Sequence, residues 1–331
     1  MPREQRYRCK HCGAVVYANH YSPNHYQHKL FDLQLVASSW VSGSSIRGMA
    51  VLFNVSPSTI QRKLEILGRN SLAILSMVTH DACLEEDLVV DGLESFVVSQ
   101  YFPTNINMVV GKRSQMVYGF NHVVMRRKGR MTERQKVRRA EIEKSERIDP
   151  TEFPRRFTEL MHDIVEYAKR RQRRVTVWSD EHPVYERVLK GMDETKRWLL
   201  HERVSSKVRR DMRNELFPAN YMEREVRKDM AEHHRETVCF ARNVNNSMHR
   251  FALYVVMHNF TKPYRVGTKE KRSHAEVSGC LKMPDEAVKQ LLFHCRATLR
   301  MTDGFYREVA GKTLHTPLSK SVQTVPNYAF E

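Results

Sequence analysis

Residues 88–99 read LVVDGLESFVVS, and residues 175–180 read VTVWSD. Each is a short apolar run rich in β-branched side chains, the composition of a buried strand. Asp91 follows Leu88, Val89 and Val90 directly, and Asp180 closes the second run just after Val177 and Trp178. An ionised carboxylate at the end of a buried strand is costly unless it is paired or metal-bound. Two of them side by side would repel, and a hard divalent cation, Mg2+ or Mn2+, would relieve that repulsion. Taken singly, a strand-end Asp also serves as a plain turn cap; the pair in this order points further.

Between the two runs, NINMVVGKRSQMVYGFNHVVM (105–125) continues the strands. The basic run RRKGRMTERQKVRRAEIEKSER (126–147) fits a solvated helix or arm, with phosphate contact as the functional alternative. Phe157, Leu160, Met161, Ile164, Val165 and Ala168 share one helical face that would pack on the sheet. Three strands, a helix, a strand and an acidic helix is the order of an RNase H-like core, where acids from neighbouring strands and one helix hold two metals for in-line phosphoryl displacement. The expected fold is therefore α/β, an RNase H-like mixed sheet with flanking helices over 83–265. Its third acid lies in ANYMEREVRKDMAEHHRETV (219–238). Met222, Val226 and Met230 mark the apolar stripe, Glu225, Asp229, Glu232 and Glu236 line one flank as a solvated face, and Glu223 stands alone on the other. Glu223 is the first choice and Asp229 the second.

Upstream, SGSSIRGMAVLFNVSPSTIQRKLEILGR (42–69) has the pattern of a helix-turn-helix, within a module spanning 30–75. Ile46, Met49, Ala50 and Phe53 space an apolar face, Asn54 permits a turn, Ser56 caps the next helix and Pro57 opens it. That helix would present Ser58, Thr59, Gln61 and Arg62 to a major groove. In 1–29, Cys9 and Cys12 form a C-x2-C knuckle, half of a tetrahedral Zn2+ site, which His20, His25 and His28 could complete. Residues 266–331 read as an irregular tail. His182 reads as a loop residue that could also position water or phosphate, and Trp178 as core. Arg235, Arg242, Arg250, His249 and His258 suit either phosphate contacts or salt bridges; Cys83, Cys239, Cys280 and Cys295 read as buried thiols.

The 331 residues carry 55 Lys and Arg against 38 Asp and Glu, a formal net charge of +17. A polyanionic partner follows, nucleic acid before a membrane surface. No apolar run approaches the roughly 20 residues of a membrane span, and MPREQRYR at the start has no signal-peptide core. A cytoplasmic, nucleoid-associated protein is expected, with no membrane partner.

VVDGLESF (89–96), VWSDEHPVY (177–185) and RETVCFARNVNNSMHRFALYVVMHNF (235–260) resemble the DDE-type insertion-sequence transposases, above all the insertion-sequence-one type and its relatives. The resemblance runs from about Arg8 to Arg265. It implies an RNase H-like fold, Mg2+ dependence, cleavage at transposon ends and strand transfer into target DNA, with the family's two Asp residues at Asp91 and Asp180. It also implies a zinc ribbon, of which only the second cysteine pair is present here, and a Glu that the best register places at Asn220, one turn before Glu223. The partners expected are double-stranded DNA, both transposon ends and target, and further copies of the chain assembled on paired ends. Phe251, Leu253, Val255 and Val256 either finish the monomer's core or serve that assembly. The competing reading is a helix-turn-helix DNA-binding regulator with an inactive nuclease-like core.

Overall fold

The computed structural model describes residues 5–25, 27, 29–205, 207–265, 267, 269, 271–280, 284–296 and 304–319. A β-hairpin opens the chain, β1 (Arg6–Arg8) paired antiparallel with β2 (Val15–Tyr17). Three helices follow: α1 (Leu33–Val41), α2 (Ile46–Leu52) and α3 (Pro57–Asp81). Their caps are local chemistry. The Asp32, Ser45 and Ser56 side chains accept the N–H groups of Leu35, Gly48 and Thr59, satisfying donors that a helix start leaves unpaired. Asn54 adopts the left-handed turn (φ 50°) between α2 and α3, and Pro57 opens α3.

The sheet is mixed and six-stranded, flanked by helices, an arrangement compatible with an RNase H-like core. Strands β3 (Leu88–Phe96), β4 (Pro103–Gly111) and β5 (Val117–Phe120) form an antiparallel meander, with the two-residue β6 (Val123–Val124) also on β4. Then come α4 (Glu133–Ser145) and α5 (Glu152–Arg171). After α5 the chain returns through β7 (Val175–Ser179), parallel to β3, and through α6 (Pro183–Gly191), α7 (Asp193–Trp198) and β8 (Leu199–Arg203), parallel to β7. The spatial order is β5-β4-β3-β7-β8. Helix α8 (Phe217–Asp229) lies against β3 and β4. The expected apolar face of α5 is buried throughout, from Phe157 to Ala168.

Helix α9 (Val244–Phe260) is the centre of the molecule: every residue but Asn246 is buried. Phe251, Leu253, Val255 and Val256 are fully buried within this one chain. His249, Arg250 and His258 are buried as well, so these three face the interior rather than a DNA backbone. Arg250 forms an ion pair with Glu232, and His258 Nε2 lies 2.9 Å from the Gln115 carbonyl.

Two expectations about organisation change. Helix α3 runs past residue 75 to Asp81 and packs along α9, so the front helices share one apolar cluster with the sheet. The closing stretch is not an irregular tail, because its described part forms α10 (His274–Ser278), α11 (Asp285–His294) and α12 (Phe305–Ala310). Val288, Leu292, Phe305 and Val309 join the same cluster. Asn70 Nδ2 donates to the Leu292 and Cys295 carbonyls at 2.8 and 2.7 Å, and buried Arg156 donates to Glu308 at 2.7 Å, tying α11 to α3 and α12 to α5. Of the four later cysteines, Cys280 is buried, Cys83 and Cys295 half-buried and Cys239 exposed. Among the described residues, no helix is long and apolar enough to cross a membrane.

The α3–α9 crossing is close because position 68 has no side chain. A Cβ there would lie 2.6 Å from His249 Cβ and 2.7 Å from its carbonyl oxygen. Gly68→Val should therefore lower stability by about 1–3 kcal/mol, read as a reduced urea midpoint; an unchanged midpoint would contradict this packing.

Candidate active site

Parallel pairing aligns the two aspartates. Val90 of β3 is in register with Ser179 of β7, so Asp91 and Asp180 are the next residues on adjacent strands. Asp91 stands where the apolar run ends, and its Oδ1 accepts the N–H of Gly92 at 2.8 Å. Gly92 leaves room for the Asn105 amide, which a Cβ at position 92 would displace. Asp180 begins the turn after β7, where its Oδ1 accepts the His182 N–H at 2.9 Å. His182 in turn caps α6 through Nδ1, which accepts the Val184 N–H at 3.3 Å. The His182 ring is thereby fixed beside Phe153 and Tyr185.

Glu223 comes to the same place from α8. Its affinity for a proton is raised first by burial and then by the charge of Asp91, to a pKa of about 8. Asp91 is pushed to about 6, by burial first, with the Gly92 N–H opposing and Asp180 adding to it. Buried like charges favour the protonated form of one another. Three cations temper the cluster: Arg227, 3.7 Å from Glu223 on the same helix, with Arg210 and Arg235 from the exposed segments either side of α8.

Two residues in this group carried no strong sequence signal. Tyr185 of α6 is buried beneath the acids, and burial together with Asp91, Asp180, Glu223 and Glu94 holds its hydroxyl far above the usual phenol range. It donates to Asn107 Oδ1 at 3.0 Å, and Asn107 donates to Asn121 at 2.8 Å, so the floor of the site is a chain of neutral hydrogen bonds. Glu94, exposed on β3, contributes a fourth negative charge. The spacing D-G-L-E in residues 91–94 is the only hint of it.

Three of the other acids near α8, Glu225, Asp229 and Glu232, are committed elsewhere, which corrects the solvated flank expected for them. Glu225 is buried and accepts Lys228 and Lys262 at 2.8 and 2.7 Å. Asp229 accepts the Tyr254 hydroxyl at 2.8 Å. Glu232 has left the helix for the 3-10 turn Ala231–His233, where Arg250 and Ser247 saturate it. Glu236 lies beyond that turn, exposed and in a left-handed conformation. Asn220 packs back on its own helix, donating to the Leu216 carbonyl at 3.0 Å. Glu223 is the helix acid whose proton affinity responds to Asp91.

Asp91, Asp180 and Glu223 offer hard oxygen donors and a surplus of negative charge, the donor set that suits Mg2+ or Mn2+. Among the described residues, no three acidic, His or Cys side chains already converge at ligating distance, so holding an ion requires side-chain rotation. The Zn2+ site fares differently. Cys9 and Cys12 are exposed at the tip of the β1–β2 hairpin, and the Cys12 and His11 N–H groups lower the Cys9 thiol from its ordinary range. That is half of a tetrahedral site. His20 and His25 meet edge to face with centroids 4.5 Å apart, His28 lies outside the described residues, and among those described no third ligand joins the thiols.

In the front helices Ser58 and Arg62 are exposed and Thr59 half-buried. Gln61 is turned inward: its Oε1 accepts Arg250 of α9 at 3.4 Å. Trp178 is half-buried, with the Lys112 ammonium 4.5 Å above its ring, and Arg242 is exposed.

The proton affinities set a pH dependence. Glu223 moves from 4.5 in the unfolded chain to about 8 in the fold, so between those values the folded protein holds a proton the unfolded one does not. Metal-free stability should then fall as pH rises through that window, and Glu223→Gln should raise the melting temperature at about pH 8.5. Mg2+ binding at neutral pH should expel protons, giving heats that change with buffer ionisation enthalpy and an affinity that climbs from about pH 6 to 8. A pH-independent affinity without proton release would contradict the cluster.

No family model matches the chain, and no curated protein gives a significant match. What this site does is therefore read from its own geometry and charge.

Proposed function

We propose that the chain is a metal-dependent DNA transposase of the DDE type, cutting at transposon ends and joining them to target DNA. The observation that carries this reading is the matched register of Asp91 and Asp180 on neighbouring parallel strands, with Glu223 of α8 close enough to feel the charge of Asp91. Asp91, Asp180 and Glu223 would hold Mg2+ or Mn2+. Bound there, such ions activate a water or a 3'-hydroxyl and neutralise charge at the phosphorus. Arg210 and Arg235 bring guanidinium groups to the rim, where they would bind and orient the scissile phosphate. The buried Tyr185–Asn107–Asn121 chain excludes water from below and holds the sheet side of the site in one geometry. The exposed start of α3, with Ser58, Thr59 and Arg62, would read the ends in a major groove, helped by the net charge of +17. Two ends must be processed together, so we read assembly of several copies on DNA as part of this function.

Supercoiled DNA carrying the element's ends tests the reading in Mg2+ or Mn2+. Asp91→Asn, Asp180→Asn and Glu223→Gln should abolish nicking and strand transfer while leaving DNA binding by anisotropy unchanged. Asp229→Asn should retain activity, because Asp229 is bound to Tyr254. Substantial transfer by Asp91→Asn in Mg2+ would overturn the assignment.

At the front end, Arg62→Ala should weaken end binding and lower its salt slope by about one unit. Gln61→Ala should leave that slope unchanged and lower the melting temperature, since its partner is Arg250. Lost end affinity in a Gln61→Ala protein whose melting temperature is unchanged would show that Gln61 faces DNA.

A further inference from the structure

We propose that a cavity beyond the end of β3, walled by Phe96, Tyr101 and Phe240 with Arg127 at its mouth, receives one unstacked nucleobase of the strand bound at the acidic cluster. This deepens the DNA-processing reading and rests on it. The cavity holds about 440 Å³, within the range of small-ligand sites. Phe96 and Phe240 meet edge to face, with centroids 6.1 Å apart at 75°, and all three rings are half-buried. The Arg127 guanidinium lies 5.4 Å from the Tyr101 ring, held there by a 2.8 Å bond to Gln100 Oε1. Aromatic faces and a guanidinium plane are what a nucleobase stacks on, whatever its sequence. Thr237 and Glu236 line the same mouth and offer acceptors to an exocyclic amine.

Two of the seven left-handed non-glycine residues among those described border this cavity. Val98 and Glu236, one on each side, adopt left-handed conformations at φ 63° and 54°. For a β-branched residue that conformation is a true outlier, and such outliers gather at binding sites. The strain is held by a clamp: the Val98 N–H donates to the Ala241 carbonyl at 2.8 Å, and Val97 bridges Ala241. Residues 236–241 are thus pinned across the β3–β4 turn, which fixes Phe240 opposite Phe96.

Position and charge identify the occupant. Phe96 ends the strand that carries Asp91, about 17 Å further along it, and the odd spacing turns its side chain to the other face of the sheet, so the bound strand would cross the end of β3 to reach the cavity. Arg235, whose charge acts on Glu223, directly precedes Glu236 of the cavity rim. On the other side, Gln135 and Arg139 of α4 bond to Gln100 and Arg127. The segment 126–147 that contains α4 has ten Lys and Arg against four Glu, a net charge of +6 by difference, and would carry the phosphates that flank the base.

A single-stranded thymidine oligomer with one central 2-aminopurine tests the proposal. The wild-type protein should change the 2-aminopurine emission saturably. Phe240→Leu, which keeps apolar bulk but removes the ring, should abolish that change and weaken binding roughly five- to a hundred-fold. Phe240→Trp should restore both, which a merely structural role would not require. Unchanged emission and affinity in a folded Phe240→Leu protein that still nicks DNA would overturn the pocket and leave the nuclease reading standing. A wild-type protein that shows the Phe240-dependent emission but never nicks would uphold the pocket and remove the nuclease reading instead.

Discussion

Parallel pairing of β3 with β7 is the constraint on which the rest depends. The ladder that matches Val90 to Ser179 makes Asp91 and Asp180 neighbours, and no choice of side-chain rotamer can separate their backbones. The sheet needs both strands, because Leu88, Val89, Val90, Val175 and Val177 are fully buried in its centre. Burial of that apolar surface drives folding, and with it two carboxylates come side by side where the buried runs end, Asp91 largely desolvated. Glu223 adds a third. The neutral floor formed by Tyr185, Asn107 and Asn121 offers no cation to offset them, so the balancing charge comes from the rim, from Arg210, Arg227 and Arg235, and from whatever the site binds.

The arrangement of basic groups follows the same logic at larger scale. Two buried cations are consumed by the fold, Arg250 by Glu232 and Arg156 by Glu308, and half-buried Lys262 pairs with buried Glu225. Exposed ones remain beside the acids and along α4. Beside the Asp91 cluster stand half-buried Arg227 and exposed Arg210 and Arg235.

Much of this was legible in residues 88–99 and 175–180, because buried strands announce themselves by β-branched runs and an acid that interrupts such a run is conspicuous. The caps at Ser56 and Pro57 and the turn at Asn54 were equally local and readable. What could not be read was long-range. Glu225, Asp229 and Glu232 look like a solvated flank until Lys262, Tyr254 and Arg250, 37, 25 and 18 residues further on, are seen to hold them. Gln61 looks like a base reader until its partner 189 residues away is known. The helix also stops at Asp229, which removes Glu232 and Glu236 from the face that 3.6-residue periodicity assigns them. The closing segment misled for a similar reason: its glycines and prolines mark short helices that gain stability only by packing on α3, α5 and α9.

The central claim is that acids from three separate elements act on one bound divalent ion. Iron(II) substituted for Mg2+, with ascorbate and peroxide, generates hydroxyl radicals that cut the polypeptide wherever the ion sits. Convergence predicts cuts clustered near residues 91, 180 and 223, suppressed by excess Mg2+ and lost in Asp91→Asn. Cuts confined to the Cys9–Cys12 hairpin, or spread along the surface acids with no enrichment at those three positions, would contradict it.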